Sequence, residues 1–219
     1  MGGGIMKKLL LRLSLSLFLS ASLFGFDTSN LKCDKVIEHT DYSVCYDYEL
    51  KSAVAGWATL DGKKTISSIK NRPWYHSEKQ LERKFRHYKH IKRNSILENG
   101  HTIVADADVD YEWYALKEAY SLANITPMYK NFNRRVWSKV ETRGRYLAQE
   151  LDTVYSITLI KYDNNNTYNG WAIPSKYYRI YETKYFNECY AYEHKRYTHN
   201  EFKKDRLLQH KICCEKLLK

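Results

Sequence analysis

Proline and glycine are scarce in this chain, 3 and 9 among 219 residues. That scarcity excludes a collagen-like repeat or a linker-dominated chain. With 43% apolar and 28% charged residues, a disordered tail is excluded as well. Internal repeats are absent, and no Pro/Gly/Ser-rich segment divides the sequence. Long apolar runs are equally rare: the only one that concerns a membrane lies at the extreme N-terminus, so a polytopic membrane protein is ruled out. Acid is short relative to base. Against 36 Lys and Arg stand 25 Asp and Glu, a net charge of +11. A surplus of this size favours an anionic partner, whether nucleic acid, acidic glycan or membrane phosphate.

The N-terminal run carries its own meaning. Met6-Lys7-Lys8 opens a basic stretch extended by Arg12, Leu13 to Leu23 is apolar with small residues interspersed, and Gly25-Phe26-Asp27 ends it. This is the plan of a secretory signal peptide over residues 1–25, and the run is short for a membrane anchor. Residues 26–219 then form a single domain, periplasmic or secreted, with no stable membrane association once the leader is removed. The leader holds three bases and no acid, so the mature domain keeps a charge of +8. Export also sets the reading of five cysteines. Cys33 with Cys45, and Cys189 with Cys213 or Cys214, are disulfide candidates that leave one thiol over. A zinc site from Cys189, His194, His210 and Cys213 is the alternative, but its spacing matches no standard zinc module.

Periodicity predicts paired strands over 42–50 and 53–60, and a short strand over 101–105. Ser77-Glu78-Lys79-Gln80 reads as a capping box, and Leu81, Phe85, Tyr88 and Ile91 follow at helical spacing. Residues 131–150 make the strongest helix, with Phe132, Val136, Trp137, Val140 and Leu147 on one side. Residues 154–161 and 170–181 alternate as strands around a polar turn from Asp163 to Asn166. Thr198-His199-Asn200-Glu201 caps a basic helix running to about Leu218. Strands and helices in this order, without βαβ regularity, predict an α+β fold: a central antiparallel sheet with flanking helices.

Two segments carry chemistry. One is Leu97-Glu98-Asn99-Gly100-His101. The other is Leu122-Ala123-Asn124-Ile125-Thr126-Pro127, continuing through Asn131-Phe132-Asn133 to Trp137 and Glu141. In this order they resemble the DNA/RNA non-specific endonuclease family, the ββα-metal (His-Me finger) nucleases. That family's hallmark is an acidic residue, Arg, Gly and His, followed later by Ser-Asn-Ile-x-Pro, then Phe/Leu-Asn, a Trp and a Glu. Arg72-Pro73 upstream, and Val154 to Thr158 and Ala172-Ile173-Pro174 downstream, look similar too, so the resemblance covers about residues 40 to 182. A Gly-His pair alone is a weak signal; the ordered set is specific.

The resemblance implies roles that the chemistry of phosphodiester hydrolysis explains. His101 takes the place of the general base, where an imidazole titrating near neutrality suits the removal of a water proton. Asn133 is implied as the protein ligand of Mg²⁺, with Mn²⁺ able to substitute; one neutral ligand suits a hard ion that keeps most of its water. Glu141 lies eight residues on, about two helical turns, so it shares a face with Asn133 and can orient it or a bound water. Arg72 is placed to meet transition-state phosphate charge. Asn124 would support the substrate or the site, and Asn99, Arg134 and Arg135 are candidate substrate contacts. Three departures concern rate and preference: Asn99 stands where the family usually has Arg, Thr102-Ile103-Val104 follows His101 where the family usually has an apolar residue and then Pro, and Tyr120 stands where some members have a further Asn.

Taken singly, these residues read more plainly. Asn133 alone is a helix cap, Glu141 a surface carboxylate, Trp137 core, and His87 and His90 a solvated helical face. Arg134, Arg135, Lys139, Arg143 and Arg145 cluster beside the proposed site, as phosphate contacts would. The expected activity is Mg²⁺-dependent cleavage of DNA and RNA; the competing functions are a basic module of the same fold that captures DNA without cutting it, and a cationic glycan- or envelope-binding domain. Asp163-Asn164-Asn165-Asn166-Thr167 also holds an N-x-Thr acceptor with an acidic residue two places before Asn165.

Overall fold

A computed structural model describes residues 27–65, 69, 71–91, 96–109, 112–163 and 166–217; the predicted leader and the Asn165 acceptor lie outside them. Strands β1 (Lys35–Glu38), β2 (Tyr42–Asp47) and β3 (Ser52–Asp61) form a meander. The β2–β3 turn is closed by the Asp47 carboxylate, which accepts from the Leu50 amide at 2.7 Å. β4 (Leu97–His101) follows, then helix α1 (Trp113–Ala119) and β5 (Ile125–Tyr129). A π-helical stretch, Phe132–Trp137, leads straight into α2 (Ser138–Leu151). β6 (Thr153–Lys161), the short β7 (Thr167–Tyr168) and β8 (Trp171–Ala172), β9 (Lys176–Glu182) and β10 (Asn187–Glu193) come next. Helix α3 (His199–Lys204) and β11 (Lys211–Ile212) are the last helix and strand among the described residues.

Seven strands make the main sheet in the order β1-β2-β3-β6-β9-β10-β11, every neighbouring pair antiparallel; β4 and β5 pair separately. The fold is α+β, as the sequence predicts. Side chains alternate between the faces of the sheet. Leu60, Val154, Ile160, Tyr177 and Tyr181 meet Phe132, Val136, Trp137, Val140 and Leu147 in one buried cluster. Each such side chain contributes about 1.5–3 kcal/mol when fully buried. On the other face Ile157, Ile180 and Cys189 are buried beneath Ile212 and Leu217. The disulfides are Cys33–Cys45 and Cys189–Cys214, and Cys213 is free and exposed.

Several expectations are corrected. No helix forms over 81–91: only Arg83–Phe85 makes a single 3-10 turn. The capping-box residues are drawn into tertiary contacts instead. The Gln80 amide donates to the Glu38 carbonyl, Glu78 binds Ser121 and His39, and the Arg86 guanidinium takes the Leu81 and Lys79 carbonyls. His87 therefore presents no helical face; it stacks on Trp171 with ring centroids 3.5 Å apart. The strand expected over 101–105 runs instead from Leu97 to His101, so the Gly-His pair lies at its exit. The Thr198 capping box forms as predicted, but α3 stops at Lys204, because Lys139 of α2 binds both the carbonyl and the carboxylate of Asp205. The zinc alternative fails: Cys189 is in a disulfide, His194 bridges the Tyr129 amide and the Pro174 carbonyl, and His210 pairs with Asp205.

Candidate active site

β4 and β5 pair with His101 opposite Ile125 and Gly100 opposite Thr126, and the chain then enters the long helix: two antiparallel strands and a helix. Gly100 is required by space rather than by backbone angle. A Cβ there would sit 2.2 Å from the Met128 sulfur, so only glycine lets Met128 fill the core beside the base. After His101 the chain turns sharply and is clamped. The Asn124 carbonyl oxygen accepts from the Ile103 amide at 2.8 Å, and its amide nitrogen donates to the Val104 and Ala119 carbonyls at 2.9 Å. From beneath, the buried Arg179 guanidinium donates to the Ile103 carbonyl at 2.9 Å.

A polar pocket of about 420 Å³ opens here, lined by Arg72, Tyr75, Glu98, Asn99, His101, Ala105, Asp106, Asn133, Arg134 and Glu141. Six of the eight predicted site residues are therefore brought together. Asn124 is not among the lining residues: it is fully buried, and its side chain supports the turn behind the site. Arg135 also lies outside the lining, with its guanidinium 5.7 Å from the Phe202 ring. The wider basic cluster is largely committed to ion pairs, Lys139 with Asp205, Arg143 with Glu188 and Arg145 with Asp108.

His101 sits against Tyr120, edge to face at 5.0 Å, and Tyr75, and its Nε2 is buried with no hydrogen-bond partner among the described residues. Burial holds its pKa below the usual imidazole value; Asp106 and Asp108 oppose this, and Arg72 adds to it. The result is a ring held neutral in the pocket wall. Arg72 pairs with Asp106 at 3.1 Å, and the same carboxylate oxygen accepts from the Tyr120 hydroxyl at 2.9 Å. Tyr120, the departure from the family pattern, thus links the base's packing to the site's arginine.

Glu98 organises the other wall. Its carboxylate, 3% exposed, accepts from the Asn133 amide nitrogen at 3.0 Å and is forked by the Arg134 guanidinium. The π-helical stretch helps here: one wide turn buries Phe132, Val136 and Trp137 while Asn133 and Arg134 line the pocket. Glu141, two turns on, has its pKa pushed up to about 7, first by burial and then by Asp108, against the pull of Arg179 and Arg145. Asn99 lines the pocket but spends its amide on the Ile91 backbone, accepting from the amide at 2.8 Å.

No cluster of three or more His, Cys, Asp or Glu side chains among the described residues is arranged to hold a metal. The donor set suits a hard cation that keeps its water: Asn133 commits its nitrogen to Glu98, which leaves its carbonyl oxygen as a ligand, and Glu141 shares the pocket. The sequence singled out Asn133 and Glu141 but gave no role to Glu98, Asp106 or Tyr120. Glu98 was visible as the acidic residue of the Gly-His motif and Tyr120 as a departure from the family pattern; Asp106 carried no signal.

No curated protein matches the chain. Among solved structures the fold is similar to that of EndoG in the crystal structure of the EndoG/EndoGI complex, with a TM-score of 0.71 and 18% identity over 85% of this chain and 83% of that one. The family model described as "DNA/RNA non-specific endonuclease" matches residues 20–210. The chain belongs to the DNA/RNA non-specific endonuclease family, and it is a nuclease.

Proposed function

We infer that the protein is an exported, Mg²⁺-dependent endonuclease that hydrolyses DNA and RNA with little sequence preference, with Mn²⁺ able to replace Mg²⁺. The single observation that carries the mechanism is that His101 shares one polar pocket with Arg72, Asn133 and Glu141. The His101 imidazole removes a proton from the attacking water, and its depressed pKa keeps the ring neutral and ready. Arg72, already aligned by Asp106, donates to phosphate oxygens as negative charge develops. Asn133 and Glu141 would hold the cation, which when bound supplies positive charge to the phosphate and the leaving oxygen. Glu98 fixes the Asn133 amide so that its oxygen points where a cation can use it. The family resemblance implies 5′-phosphate products. Two disulfides are compatible with an oxidising compartment, periplasmic or secreted, and no helix of the described residues is long and apolar enough to cross a membrane.

Digestion of supercoiled plasmid and of RNA by the purified protein, with EDTA and with Mg²⁺ or Mn²⁺ restored, tests this reading. Degradation of both that stops in EDTA and returns with either ion is expected. Retarded but intact DNA would instead identify a binding module of the same fold, and equal retention by heparin would identify a general polyanion binder.

A further inference from the structure

Trp74 is 89% exposed, although tryptophan ordinarily gives 150–250 Å² of ring to a core or an interface. Its position is not a matter of a loose loop. Arg72, two residues before it, pairs with Asp106 in the pocket wall. Tyr75, directly after it, packs against Tyr120 at 5.1 Å and His101 at 6.1 Å. His76 is pinned by its backbone at both ends: its amide donates to the Tyr120 carbonyl, and its carbonyl accepts from the Leu122 amide at 2.9 Å. Arg72 and Trp74 thus lie on one anchored strap, at most ~7 Å apart along the chain. The guanidinium reaches the site while the indole, two residues on, stands in solvent.

We propose that Trp74 is a stacking platform for an unpaired base next to the phosphate held by Arg72. Every base offers a π-face, so an aromatic platform adds affinity without reading sequence, and a base already stacked in a duplex cannot use it. The site therefore grips single strands and locally opened duplex more tightly than intact duplex. This inference rests on the reading of the pocket as a phosphodiester site, and it adds a substrate preference that the pocket's charges alone do not supply.

The test uses the full chain in an inactive His101→Ala background with Mg²⁺ present, and a short oligothymidylate and a DNA hairpin duplex as probes. Oligothymidylate is expected to quench intrinsic tryptophan fluorescence, and Trp74→Phe to remove most of that quench. Trp74→Ala should raise the Kd for the single strand about ten-fold, Trp74→Tyr should restore most of the affinity, and the duplex Kd should change by less than a factor of two. A single-strand Kd unchanged in Trp74→Ala overturns the proposal. So does a loss that Tyr does not rescue, or an equal loss for duplex. If the His101→Ala protein itself still cleaves the oligomer, the phosphodiester-site reading fails instead, and the two failures are told apart by the intact length of the probe.

Discussion

His101 and Glu141 share one pocket, and burial works on them in opposite chemical senses. It lowers the imidazole and raises the carboxyl, so that both favour their neutral forms. For the base, the consequence is a rate–pH profile whose acidic limb lies below the unperturbed imidazole value of 6.5. For Glu141, a carboxyl near 7 must lose its proton when a cation binds beside it, so apparent Mg²⁺ affinity should rise as pH increases through about 7. Glu141→Gln should weaken Mg²⁺ binding by roughly 10–100-fold and flatten that pH dependence. Titration of activity with Mg²⁺ at pH 6 and pH 8 checks both; a wild-type affinity that does not change with pH would contradict the assignment. The sequence made His101, Asn133 and Glu141 legible through one ordered motif. It could not show Asp106 on Arg72 or Arg179 under the Ile103 carbonyl, because such partners lie up to 76 residues away and the contact exists only after the sheet forms. For Asn124 it left two roles open, and burial of the whole side chain favours support of the site.

The π-helical stretch and β4 meet through Glu98, and that contact sets the site's second wall. Glu98→Ala should release both the Asn133 amide and the Arg134 guanidinium. The expected loss is in kcat and in the Mg²⁺ response together, with the fold retained by circular dichroism. If Glu98→Ala keeps the wild-type Mg²⁺ titration, Glu98 is only an ion-pair partner of Arg134. Asn99 belongs to the same element. The family's Arg at this position invites the expectation that Asn99→Arg raises turnover by adding a cation. The structure adds a cost, since the Ile91 amide would lose its acceptor, worth about 1–3 kcal/mol if that amide stays buried. A lower melting temperature for Asn99→Arg is the expected outcome, and unchanged stability would show that the Asn99–Ile91 contact holds nothing. Helix period proved a poor guide between Ser77 and Ile91. The apolar spacing there is real, but Arg86 takes the Lys79 and Leu81 carbonyls that a helix would have used, and Gln80 is drawn to the Glu38 carbonyl of β1. Strand pairing in the main sheet was more legible, because period-two alternation matches the two buried faces.

Across the whole molecule, buried histidines make stability depend on pH in a definite direction. His194 and His87 both have pKa values lowered to about 4, chiefly by burial, against 6.5 when free. Between those values the unfolded chain binds more protons than the folded one, so stability falls as pH drops from 6.5 towards 4, with a limit of about 1.4 kcal/mol per pH unit for each histidine. Glu141, whose carboxyl sits near 7 against 4.5 when free, offsets one of the two over the same interval; urea midpoints should still decrease with acidity, and a midpoint that rises would contradict the burial of these rings. The disulfides tie the two ends of the described chain to the sheet, Cys33 to β2 and Cys214 to β10. One thiol per chain, that of Cys213, should react with a thiol reagent before reduction. The sequence paired Cys33 with Cys45 correctly and narrowed the partner of Cys189 to two neighbours; the β10–β11 register, with Cys189 opposite Ile212, decides for Cys214.

The account turns on His101 as the group that activates water. The most direct measurement is the plasmid cleavage rate of purified His101→Ala protein beside wild type, at saturating Mg²⁺, with DNA retention measured on the same preparations. The prediction is a rate lower by ~10²–10⁴ with retention unchanged. Cleavage near the wild-type rate would contradict it.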